Sequence, residues 1–122
     1  EGRVPCRRYA LLPRCITSPL AIAVCGAMGC DHAAAVALVV VTGVLGAAAG
    51  PSLLDALGCS TPLARGLAMG TAAHGIGTAE MRKEPAAQPF AAIAMSLVGA
   101  ATVVAASLPV TKRLTLLAAG LI

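Results

Sequence analysis

One stretch of this 122-residue sequence concentrates its polar and glycine chemistry: residues 64–80, ARGLAMGTAAHGIGTAE. On a helix, Gly66, Gly70, His74 and Thr78 recur every fourth residue and share one face. Gly66-x-x-x-Gly70 permits close helix contact, as does Gly46-x-x-x-Gly50 upstream, so these four glycines are expected at helix–helix contacts. His74 is an ionisable residue inside an apolar segment, and such groups usually face a cavity or a pathway. Its competing use is structural, a hydrogen bond to a neighbouring backbone carbonyl. Gly75 and Gly77 each lower helix propensity by about 1 kcal/mol, which predicts a helix that ends or unwinds just after His74. Unwound backbone beside a His and the hydroxyls of Thr71 and Thr78 suits a small anionic ligand. Neither phosphate-cradling glycine pattern fits.

The other polar residues offer less. Arg65 would sit in the first turn of a helix, where the dipole disfavours a cation; this calls for a carboxylate partner, a ligand, or snorkelling to the interface. Asp31 and His32 read as a solvated connection, and Asp55 as an interfacial residue. No paired carboxylates and no nucleophile–base arrangement can be argued, so no enzyme activity, cofactor or metal site is expected. Five cysteines without a C-x-x-C pair read as small polarizable residues of apolar helices, with little support for a disulfide or zinc framework.

The elements that must position these residues follow from composition. The chain is 58% hydrophobic and 11% charged, with 28 Ala, 13 Gly and only Tyr9 and Phe90 as aromatics. Soluble domains carry about 25% charged residues, and disordered chains are poor in apolar ones. An all-α fold of polytopic transmembrane helices remains. The nine Lys/Arg sit at segment edges without interleaved aromatics, which fits membrane flanks rather than nucleic acid.

Four apolar stretches can be marked, at about 15–30, 33–57, 62–79 and 90–108. The second and fourth are full spans. The first and third are short for a span of about 20 residues. Each opens with a hydroxyl residue before proline, Ser18-Pro19-Leu20-Ala21 and Thr61-Pro62-Leu63-Ala64, an echo 43 residues apart. Proline suits the first helical turn, and the hydroxyl can cap a backbone N–H, so both read as helix starts of broken or re-entrant half-helices. The charge pattern leaves topology open: whether or not the third stretch is re-entrant, Lys/Arg divide seven to two. Residues 1–14 form a basic flank and 15–122 the membrane part. The start at Glu1 and the final nine-residue apolar run lead us to expect the C-terminal fragment of a larger transporter.

Three runs carry a resemblance: residues 14–21 (RCITSPLA), 41–47 (VTGVLGA) and, most specifically, 62–79 (PLARGLAMGTAAHGIGTA). They resemble the LrgB family of membrane proteins over about residues 12–120, the C-terminal part of a family member. Lys83-Glu84-Pro85 and Pro89-Phe90 are more similar to the plant plastid branch than to the bacterial one, while Glu80 departs from the bacterial pattern. The plant branch implies exchange of glycolate and glycerate, two photorespiratory 2-hydroxy acids, across the inner chloroplast envelope. The bacterial branch implies an antiholin-like regulator of murein hydrolase export, acting by helix association through Gly46, Gly50, Gly66 and Gly70. On the first reading, substrate sits between the helix starts at Ser18 and Thr61, with Thr71, His74 and Thr78 lining its path. The implied partners are a small carboxylate, membrane lipid, the N-terminal part of the same protein and a second copy of the chain.

Overall fold

A computed structural model describes residues 13–109 of the chain. The flanking Arg3, Arg7, Arg8, Lys112 and Arg113, and the final apolar run, lie outside the described residues. The fold is all-α, with α1 Ser18–Met28, α2 His32–Ala56, α3 Pro62–Glu80, a 3-10 turn Met81–Lys83, and α4 Gln88–Ser107. Helices α2 and α4 are long and apolar enough to cross a membrane, with mean hydropathies of 2.2 and 2.0. Their outer faces expose Val41, Leu45, Leu53, Leu97 and Val104. An apolar surface of that extent belongs against lipid or other protein rather than water.

Both hydroxyl–proline sequences start helices, with Pro19 and Pro62 in the first turn. The capping differs from expectation. Thr17, not Ser18, is the N-cap of α1, and neither Thr17 nor Thr61 makes a side-chain cap bond. The capped start is α2, where Asp31 accepts hydrogen bonds from Ala33 N–H (2.9 Å) and Ala34 N–H (3.1 Å). Asp31 is therefore a structural cap rather than a solvated loop residue.

Helix α3 does not run straight. His74 has φ 41° and ψ −133°, which divides it into arms 62–73 and 75–80. In a straight helix residues eight apart are separated by about 12 Å. Here a Cβ at Gly77 would lie 2.8 Å from the Met69 carbonyl oxygen and would also strike the Ala73 Cβ. The second arm thus folds back on the first, and glycine at 77 lets the two lie flat together. Met81 is buried with Met69, Ala87 and Ala91, and Glu84 returns to Arg65. The third apolar stretch is a re-entrant hairpin, which places Arg82 and Lys83 at the same end as Arg65.

The first arm runs antiparallel to α2, opposing Gly50 to Met69, Gly46 to Ala73 and Gly43 to His74. It runs parallel to α4, opposing Gly66 to Ala87 and Gly70 to Ala91. Helix α1 fills the other half of the bundle. Leu20 meets Gly99, and Ile16, Ala21, Val24 and Val39 bury together against Val98, Val103 and Ala106. The two short elements therefore bridge α2 and α4 at successive depths. Between α1 and α2, Gly29 at φ 72° reverses the chain and brings Cys25 and Cys30 into a disulfide, their Cα atoms 4.7 Å apart. The expectation of unpaired cysteines is corrected there, because the turn, not a spacing motif, makes the pairing.

Candidate functional site

The break in α3 sits at the centre of the bundle. His74 is 3% exposed, and its Nε2–H donates to the Val39 carbonyl at 2.8 Å. A carbonyl can only accept, so Nε2 carries the hydrogen. Gly43, near the middle of α2, makes room for the ring: a Cβ there would lie 2.7 Å from His74 Cε1. The break falls at His74 itself rather than after it, and the imidazole holds the turn against α2.

The hydroxyl residues do not gather around this ring. Thr71 is exposed and donates to Leu67 and Ala68 of its own helix, at 2.7 and 3.1 Å. Thr78, carried onto the returning arm, is half-buried and lies 3.5 Å from the Ala91 carbonyl and 3.8 Å from Met95 Sδ. Leu20, two residues after Ser18, meets Gly99, whereas Gly66, five residues after Thr61, meets Ala87. About twelve residues of α4, or roughly 18 Å, separate those contacts. The two helix starts therefore do not face each other across one site.

A second polar centre occupies the mouth of the hairpin. Arg65 is only 8% exposed, and its guanidinium gathers three elements. Nε and Nη2 donate to the two Glu84 oxygens at 2.6 Å each, a bidentate pair. Nη1 donates to Asp55 Oδ1 at 2.5 Å and to the Cys59 carbonyl at 3.0 Å. Beside it lies a cavity of about 170 Å³ lined by Ser60, Pro62, Arg65, Glu84 and Pro85. The anticipated carboxylate partner of Arg65 thus exists, twice over. Asp55 and Glu84 were not legible as its partners, although only five acidic residues were available to choose from. Among the described residues, no group of three or more His, Cys, Asp or Glu could hold a metal ion.

The hydrogen bonds from Arg65 hold the Glu84 carboxyl below its ordinary range, outweighing its partial burial. A lowered carboxylate pKa stabilises the fold above the unfolded value, about 4.3, and that stabilisation is lost as pH falls through the lower folded value. Thermal unfolding in detergent is therefore expected to show a drop in stability below about pH 4 that is smaller in Glu84→Gln. Equal pH dependence in the two proteins would contradict this.

The LrgB-like family model matches residues 6–111. Over 121 residues, 98% of this chain, the sequence is 40% identical to plastidal glycolate/glycerate translocator 1, chloroplastic, of Arabidopsis thaliana, and it covers 24% of that protein. It is 35% identical over 71 residues to uncharacterized protein YwbG of Bacillus subtilis, covering 58% of this chain and 32% of the relative. Uncharacterized protein YxaC of Bacillus subtilis is 34% identical over 71 residues, with 58% and 31% covered. The chain thus aligns with between about a quarter and a third of the length of each relative. No solved structure matches it.

Proposed function

From the premise that this chain belongs to the LrgB-like family, we propose that it forms part of a membrane transporter exchanging glycolate and glycerate across the inner chloroplast envelope. The observation that carries this reading is the re-entrant hairpin whose turn, at His74, lies beside the middle of α2. Irregular backbone at that depth is tolerated where protein or a wet cavity surrounds it, and secondary transporters place substrate at such broken helices. The translocator's name supplies the substrates. A 2-hydroxy carboxylate needs N–H donors and hydroxyls. The uncapped first turn of α1 with Ser18 and the Thr78 hydroxyl offer them near mid-depth, and the His74 ring, whose Nε2–H is taken by Val39, adds an Nδ1 donor in its protonated form; Thr61 lies on the approach. Thr71 faces away from this group, and on this reading it serves the path only where the rest of the transporter covers α3.

Counterflow in proteoliposomes tests the proposal. Vesicles loaded with glycerate are expected to accumulate labelled glycolate, and to stop when glycerate is omitted. An antiholin-like regulator acting through Gly46, Gly50, Gly66 and Gly70 would give no exchange, and that result would overturn the transport reading.

A further inference from the structure

We propose that Arg65 is a carboxylate-binding residue at the mouth of the hairpin, and that Asp55 occupies its ligand position as an intramolecular stand-in. The argument starts from the donor inventory of one buried side chain. A guanidinium has five N–H donors. Glu84 takes one from Nε and one from Nη2, and Nη1 supplies Asp55 and the Cys59 carbonyl. The remaining Nη2 N–H has no partner among the described residues. Arg65 is nine-tenths buried and is one of the residues lining the cavity, so a buried fork with one uncommitted N–H borders open space.

The two carboxylates are not equivalent. Glu84 binds both of its oxygens to the fork, and its side chain is 30% exposed. Asp55 uses one oxygen and one nitrogen, and its side chain is 68% exposed. An exposed ion pair of that kind is weak, whereas a bidentate carboxylate is held more firmly. An incoming carboxylate that takes Nη1 and the open Nη2 donor together would displace Asp55 while leaving Glu84 in place. The number of carboxylates on the guanidinium is then unchanged by the exchange. The adjoining cavity of about 170 Å³ is several times the roughly 30 Å³ of a liquid water, room for a small hydroxy acid. The Ser60 residue on its wall brings a hydroxyl of the kind that pairs with the ligand's own.

The ligand's identity as a 2-hydroxy acid rests on the transport reading; the carboxylate site does not. Cys59, half-buried and bonded through its carbonyl to Arg65, reports on the site. In proteoliposomes, N-ethylmaleimide modification of Cys59 is followed by mass spectrometry while glycolate is titrated. Glycolate is expected to slow modification, with a half-effective concentration about two- to five-fold lower in Asp55→Asn, where the competitor is gone. Arg65→Lys keeps the charge opposite Glu84 but lacks the fork, and is expected to lose the protection. No protection in wild type and Asp55→Asn, equal concentrations in the two, or undiminished protection in Arg65→Lys would each overturn the proposal. Protection that depends on Arg65 without counterflow would refute transport and keep the site. Counterflow with no Asp55 effect on protection would do the reverse.

Discussion

Gly70→Leu is expected to abolish folded, membrane-inserted protein. A Cβ at Gly70 would strike the Ala91 carbonyl oxygen and lie 2.9 Å from the Ala91 carbonyl carbon and Cα. Overpacking against side chains costs about 1–3 kcal/mol, because rotamers can shift. Backbone cannot give way without parting α3 from α4. Domains are stable by only about 5–15 kcal/mol, so losing that interface is decisive. Even Gly70→Ala should be poorly tolerated. Gly26→Ala is the control, since only His32 Nε2 approaches that site, at 3.9 Å, and alanine favours helix there. The fraction of protein that stays monodisperse in detergent measures both. Gly70→Leu behaving like Gly26→Ala would remove the packing argument.

At His74 the order of two substitutions is expected to invert the usual rule for helices. Alanine normally stabilises a helix interior by about 1 kcal/mol over glycine. His74 instead has φ 41°, a region that costs a side-chain-bearing residue about 1–3 kcal/mol. His74→Gly relieves that strain while losing the bond to Val39, itself worth about 0.5–1.5 kcal/mol. His74→Ala keeps the strain and loses the bond. The glycine variant should therefore be the more stable, by about 1–2 kcal/mol in thermal unfolding. Alanine being the more stable would mean that the turn does not form at this residue. On the transport reading both variants also weaken glycolate binding, by several-fold to tenfold. Wild-type affinity in a well-folded glycine variant would leave His74 a structural residue only.

The residues 62–79 show where local chemistry suffices and where it stops. Proline in the first turn, the weak helix propensity of Gly75 and Gly77, and the length of the apolar runs are properties of neighbouring residues. They made the helix starts, the two spans and a break close to His74 readable from the chain alone. The awkward placement of Arg65 likewise predicted a need for a partner, since a cation at a helix start is unfavourable wherever the helix lies. That Glu84 becomes one of its partners depends on the dihedral angles of one residue. Had residue 74 stayed helical, Glu84 would lie about 28 Å from Arg65 along the axis, and Thr78 would share the face of Gly70. With φ at 41° the chain reverses and brings Glu84 onto the guanidinium, which Asp55 already meets from the end of α2 across the short α2–α3 connection. Ser18 and Thr61 carry the same local signal and both start helices. Only the packing of α1 and the hairpin against different lengths of α4 sets them more than about 18 Å apart. Periodicity and capping act within a turn or two of helix, whereas these contacts are made by residues that the chain itself keeps far apart.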